Sequence, residues 1–143
     1  MIRELIASNI VSTLKAITDS NRPKKVTREP FDFDRLSNAQ FPAVLIQTDS
    51  ESRTDSTIAG DDAKREGVIN YRLICYVKGA QIDNARNRII ELIENTLDVD
   101  RTRGGYAIDT QVTDIETDQG SLDPIGGVII NVRTIYTYNR GNS

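Results

Sequence analysis

The sequence has no histidine, no tryptophan, one cysteine and only 6% aromatic residues in a chain of 143. Without histidine the chain lacks the usual proton shuttle at neutral pH and the commonest metal ligand. It also cannot build a Ser-His-Asp or Cys-His triad from its own residues. A single cysteine excludes an intramolecular disulfide and a cysteine-based zinc site. These absences predict a protein that is not an enzyme and carries no cofactor.

Charge and apolar runs exclude further classes. The chain has 18 Lys and Arg against 21 Asp and Glu, a net charge of −3 and a pI near 5.0, whereas dedicated nucleic-acid binders are usually basic. No apolar run approaches the roughly 20 residues that span a bilayer, so no membrane association is predicted. Glu4 and Asn9 interrupt the N-terminal apolar pattern, unlike a signal peptide, and we expect a reduced, cytosolic location. The length favours one domain, residues 1–143.

Two amphipathic helices are predicted from apolar residues at spacings of three and four. The first helix begins near the N-terminus and is stopped by residues 19–23, and the second opens at residues 79–83 and is ended by residues 101–105. In the second helix, Arg86 and Arg88 are predicted at polar-facing or rim positions. The apolar stripes are Ile2, Leu5, Ile6, Ile10, Leu14 and Ile17 in the first helix, and Ile82, Ala85, Ile89, Leu92, Ile93 and Leu97 in the second.

Four main strands are predicted at 42–47, 67–77, 106–112 and 127–138. In the second of these, the charge-free face is expected to meet the core; it carries Ile69, Tyr71, Leu73, Cys75 and Val77. The segment 24–28 is a candidate for a further short strand around Val26, and Phe31 and Phe33 are expected to lay their rings on the core edge from an extended segment. The order of elements predicts an α+β fold, with an antiparallel sheet of about four main strands and two helices packed on one face.

Residues 43–77 are predicted to form a long antiparallel hairpin whose tip, 49–66, is polar. Such a length is uncommon in a loop unless the loop is functional or disordered. Two interpretations stay open: a projecting β-hairpin arm that lies on a neighbouring subunit, or a flexible surface loop. In the first case the interface residues are predicted to be Arg53, Asp55, Thr57, Ile58, Asp61, Asp62, Lys64 and Arg65. The C-terminal tail, 139–143, is expected to be loose.

Other groupings favour structural roles. The carboxylates of the fourth strand and its turn do not match an EF-hand pattern and are expected to be solvated; they are Asp109, Asp114, Glu116, Asp118 and Asp123. The pairs Gly104-Gly105 and Gly126-Gly127 fit no phosphate-binding motif and are predicted in turns. Cys75 is expected to be buried and inert. The basic cluster of Arg22, Lys24, Lys25 and Arg28 is expected to be a solvated or interface patch, and Tyr136 and Tyr138 are expected in core or interface packing.

The pattern of elements resembles the tail terminator, or tail-completion, proteins of tailed bacteriophages. The segments that carry the resemblance are the N-terminal helix IRELIASNIVSTLKAI, then PAVLIQT and GVINYRLICYVKG, the helix QIDNARNRIIELIENTL, and the final strand GVIINVRTIYTYNR. Together they cover about residues 1–139. No single motif of the sequence matches a particular contact residue of that family.

The resemblance implies a structural virion protein that forms a ring, usually of six subunits, on the finished tail tube. Such a ring stops tube polymerisation and joins the tube to the neck and the head. Its partners would be copies of itself, the tail tube protein and a head–tail connector, and DNA would pass through the lumen without sequence-specific binding. The protein would be assembled in the host cytoplasm and reside in the virion tail or neck. Alternatives are another head–tail connector or neck protein, the cap of a phage-derived contractile machine, or a small module that binds a ligand or nucleic acid.

Overall fold

A computed structural model describes residues 1–55, 64–118 and 124–141. Within them lie two helices, α1 (Ile2–Lys15) and α2 (Ile82–Val99). The strands are β1 (Lys25–Thr27), β2 (Ala43–Asp55), β3 (Lys64–Lys78), β4 (Asp109–Thr117) and β5 (Ile125–Asn139). Two short 3₁₀ turns, Phe33–Arg35 and Asn38–Gln40, lie between β1 and β2. The class is α+β, as the sequence predicts.

The five strands form one mixed sheet in the order β1-β2-β3-β5-β4. The prediction of an antiparallel sheet of about four strands is wrong in one respect, because β1 adds a fifth strand that runs parallel to β2. The connection between β1 and β2 is long enough to return the chain to the same end of the sheet, as a parallel pair requires. Val26 anchors this edge strand, since its side chain is buried in the core next to that of Val44.

The core lies between the two helices and one face of the sheet, here called the inner face. The predicted core face of β3 is confirmed, since all five of its side chains are at most 2% exposed. The helices contribute Ile6, Ile10 and Leu14 from α1, and Ile89, Ile93 and Leu97 from α2. Leu5, predicted in the stripe of α1, is instead 42% exposed, because the buried stripe is narrower than the apolar pattern.

The opposite, outer face of the sheet carries no helix among the described residues. The connection before β2 partly covers it, because the rings of Phe31 and Phe33 pack against Tyr76 with centroids 5.8 and 4.9 Å away. The prediction that these rings lie on the edge of the core is therefore wrong, because they pack on the outer face and neither joins the core cluster. Phe33 also lies in a 3₁₀ turn, which is not the extended conformation expected for it.

The last two strands differ from their predicted bounds. β4 begins three residues later than expected and continues to Thr117, which leaves Tyr106 and Ile108 exposed before it. Gly104 and Gly105 lie in a turn with φ of 73° and 92°, as predicted. Gly126 and Gly127 were predicted in a turn but lie inside β5. Gly126 is required there by close packing, because a Cβ atom at this position would collide with Ile82 of α2.

Candidate interaction surface

At one end of the sheet, three strands extend past the edge strand β4. β2 and β3 pair as far as Asp55 and Arg65, and β5 pairs with β3 as far as Asn139 and Lys64. β4 starts only opposite Ile135. We call residues 51–55, 64–69 and 135–139 the arm. The projecting hairpin predicted from the sequence thus has a third strand, β5, along the whole described length of β3.

The arm contains four of the eight predicted interface residues: Arg53, Asp55, Lys64 and Arg65. The other four, Thr57, Ile58, Asp61 and Asp62, lie outside the described residues. The structure therefore brings the first four together at the far end of the arm, and their assignment to an interface stays a prediction.

Two tyrosine rings fill the inner face of the arm. The rings of Tyr136 and Tyr138 stack with centroids 5.5 Å apart, and neither side chain is more than 4% exposed. The ring of Tyr136 lies over Gly67, where any side chain would collide with it. The guanidinium of Arg53 lies 5.1 Å from the centroid of Tyr138 and donates to its hydroxyl at 3.2 Å. Core packing of both tyrosines, one of the two predicted roles, is confirmed.

Glu51 joins the arm to the N-terminus of α1. Its carboxylate accepts a hydrogen bond from the hydroxyl of Tyr136 at 2.6 Å and from Arg53 at 3.1 Å, and it pairs with Arg3 at 3.2 Å. Burial alone would raise the pKa of Glu51, but the hydrogen bonds from Tyr136 and Arg53 outweigh burial and lower the pKa. The pKa of Tyr136 is raised, first by burial and then by its hydrogen bond to Glu51.

We expect Glu51→Gln to lower the free energy of unfolding by about 1–2 kcal/mol at neutral pH, since hydrogen bonds to a partly buried charge are lost. The folded pKa of Glu51 lies below its ordinary value of about 4.3. Its contribution is therefore complete above that value and is lost as the pH falls through the folded pKa. Urea denaturation measures the free energy of unfolding of the wild type and of Glu51→Gln between about pH 7 and pH 3. The difference between the two free energies should become smaller only at the acid end of this range.

The matched control for this experiment is Glu66→Gln, which removes another carboxylate of the arm. Glu66 makes no ion pair or side-chain hydrogen bond with the described residues. We expect its replacement to leave the unfolding midpoint nearly unchanged. If the two substitutions change the free energy of unfolding equally at every pH, the contacts of Glu51 with Tyr136, Arg53 and Arg3 do not stabilise the arm.

The far end of the arm carries ion pairs of a different kind. Asp55 Oδ1 lies 3.0 Å from Arg65 Nε and 3.1 Å from Arg140 Nη2, and its side chain is 55% exposed. Exposed pairs such as that of Asp55 with Arg140 contribute little to stability, so these two side chains are available to exchange partners on a second surface.

The remaining sequence candidates mostly have partners within the chain. Asp109 pairs with Arg101 at 2.6 Å, Asp118 pairs with Arg86, and Asp123 lies outside the described residues. Asp114 and Glu116 both accept from the side-chain amide of Asn131. In the part of the chain that the structure describes, no three of these carboxylates are arranged to hold a metal ion.

In the basic cluster, Arg28 pairs with Glu4 at 2.6 Å, and Lys25 lies 5.4 Å from the ring centroid of Phe31. Cys75 is fully buried, and burial raises the pKa of its thiol, which keeps it protonated. Its predicted burial is confirmed.

Sequence reasoning missed two buried arginines. Arg86, predicted at a polar-facing or rim position, is only 8% exposed and pairs with Asp118. Arg103 is fully buried, and its Nη2 donates to the backbone oxygens of Leu97 and Asp100 at the end of α2. The sequence signal available for Arg103 was its position just after the helix, where a cation can bind the last carbonyl groups.

Comparison with protein-family models gives no match for this chain, and comparison with curated protein sequences gives none either. Neither helix of the described chain combines the length and the apolar character that crossing a bilayer requires.

Proposed function

We propose that this chain is a structural assembly protein of the tail-terminator type. In this proposal, copies of the chain form a ring, expected to have six subunits, on the end of a tail tube. The ring stops addition of tube subunits and offers its other side to a head–tail connector. The protein works by shape and acts on no substrate.

The observation that carries the proposal is the arm, which has open backbone edges on both sides. β1 pairs with β2 only as far as Leu45, and β4 leaves β5 unpaired beyond Ile135, as far as the described strands extend. Exposed edges of this kind are sites where another chain can add. In an isolated domain such edges can pair with other chains and cause aggregation, whereas in a ring a neighbouring subunit covers them.

The surface chemistry supports the same proposal. The exposed end of the arm is polar and charged, as in Asp55 and Arg140, and such a surface can remain in water before assembly. A chain with net charge −3 can also surround a channel without holding DNA, because phosphate binding needs an excess of Lys and Arg.

Shortening the arm tests the proposal. The variant replaces residues 55–65 by Asn-Gly, a two-residue hairpin turn that joins Thr54 to its cross-strand partner Glu66. The contacts of Glu51 and Arg53 with Tyr136 and Tyr138 are kept, so the variant should fold. We expect a monomer with cooperative thermal unfolding and no rings in electron micrographs.

The control keeps the length of the arm and replaces residues 56–63 by glycine and serine. It separates the role of the strands from the role of the tip sequence. If the shortened variant forms rings as the wild type does, the arm is not an assembly surface.

A further inference from the structure

A cleft with a positive rim lies at the end of the sheet opposite the arm. It has a volume of about 530 Å³ and lies between the α1–β1 connection, the start of β2, the end of β3 and the first half of α2. Phe41, Val77 and Ile89 give it an apolar floor, and Lys24, Lys78 and Arg88 form its rim. None of the residues that line it is acidic. We call it the cation cleft.

The three cations of the cleft have only neutral partners within the described chain. Lys78 donates to the side-chain oxygen of Asn38 at 2.8 Å and lies 5.7 Å from the ring centroid of Phe41. Lys24 donates to two backbone oxygens, at 3.0 and 3.1 Å. Arg88 makes no ion pair with a described residue, although Asp19 and Glu91 line the adjoining depression. A concave surface with uncompensated cations attracts carboxylates.

A complementary surface lies at the free edge strand of the sheet. Asp114 and Glu116 project from the outer face of β4 and are both exposed. Their described partner is again neutral, since the amide nitrogen of Asn131 donates to both, at 3.1 and 2.9 Å. Ile115, between them in sequence, pairs with the buried Ile130 and therefore lies on the inner face, away from both carboxylates. We call this Asp-Ile-Glu segment the acidic edge; its shallow depression also contains Asp49 and Arg72.

We infer that the acidic edge of one copy of this chain binds in the cation cleft of the next copy. The inference rests on the proposed function, because it names a second contact between subunits of the ring, in addition to the arm. Its evidence is charge complementarity: the two exposed carboxylates on the outer face of β4 match the three cations around the cleft. A symmetric contact is disfavoured, because two acidic edges repel each other and so do two cation clefts.

The two surfaces do not overlap on one subunit. The acidic edge belongs to β4 and its carboxylates project from the outer face, whereas the cation cleft lies beside α2, which packs on the inner face. One subunit can therefore bind a neighbour through each surface at the same time. Contacts between two different surfaces are heterologous, and they close into a ring when the rotation between subunits permits.

Charge reversal in two separate variants tests this contact. Asp114→Lys with Glu116→Lys makes the acidic edge basic, and Lys78→Glu with Arg88→Glu makes the cleft acidic; all four side chains are exposed. We expect each variant alone to dissociate, with an apparent dissociation constant raised about 30-fold or more. An equimolar mixture should assemble again, because each altered surface then meets an oppositely charged partner.

The control reverses an exposed cation of α1 that lines neither surface, Lys15→Glu, and should assemble as the wild type does. Sedimentation velocity measures all of these proteins at one ionic strength. Assembly of either charge-reversed variant at wild-type affinity would overturn the inference, and so would a mixture that stays dissociated. If the wild type itself never associates, the ring proposal fails and this contact fails with it. If the wild type associates but charge reversal has no effect, only this contact fails.

Discussion

Replacing Arg103 by alanine is expected to lower the free energy of unfolding by about 3 kcal/mol. The side chain is fully buried and donates to two backbone oxygens at the end of α2. Its loss leaves the backbone oxygens of Leu97 and Asp100 without this donor and opens a cavity. We expect these costs to exceed the gain from removing Nε and Nη1, which are buried without partners. It also removes a positive charge from the negative end of the helix dipole. Urea denaturation monitored by circular dichroism measures the change.

Arg101→Ala is the matched control for Arg103. The two arginines are separated by one residue, but Arg101 pairs with Asp109 at the surface, where water and salt screen the interaction. We expect a much smaller shift of the unfolding midpoint for Arg101→Ala. Equal midpoints for the two variants would show that Arg103 does not hold the end of α2.

Replacing Gly67 by alanine is expected to cost about 2 kcal/mol, because a Cβ atom at this position collides with the ring of Tyr136. Tyr136 is fully buried, and its hydroxyl is bound to Glu51, so the ring cannot move without losing that hydrogen bond. The midpoint of chemical denaturation gives the effect. Nuclear magnetic resonance shifts of Tyr136 and Tyr138 would show whether the arm is the part that changes.

A double-mutant cycle with Tyr136→Leu provides the control for Gly67. If the glycine is needed only to admit the ring, the cost of the alanine should fall once the ring is gone, and the two changes should not be additive. Additive effects would mean that Gly67 serves the strand in another way, and the packing explanation of the arm would be wrong.

The predictable part of the fold is the part whose pattern is local. In β3, apolar side chains on one face alternate with Asn70 and Arg72 on the other, so the buried face could be predicted from period two alone. The buried stripe of α2 follows in the same way from spacings of three and four. In both elements the side chains that decide the pattern are neighbours in sequence.

The parts that were missed depend on distant residues. The parallel pairing of β1 rests on three residues with one buried side chain, which is too short for a pattern to show direction. Gly126 was predicted in a turn because glycine is usual there, but Ile82 of α2 requires a glycine within the strand. Glu51 meets Tyr136 from 85 positions away, and nothing near either residue in the sequence indicates that contact.

The two proposed contact surfaces differ in the same way. The acidic edge is a continuous segment around Ile115, so its charges are visible in the sequence. The cation cleft takes Lys24, Lys78 and Arg88 from three separate elements, and only the folded chain brings them to one rim. The sequence could therefore predict an interface at the hairpin tip, but it could not indicate the cation cleft.

Negative-stain electron microscopy of the purified full-length chain, with its mass in solution measured alongside, tests the ring proposal most directly. We expect ring-shaped particles with a central hole and, for six subunits, six times the 16.0 kDa mass of one chain. Particles that remain single chains of 16.0 kDa at every concentration, and that do not bind tube ends, would contradict the proposal.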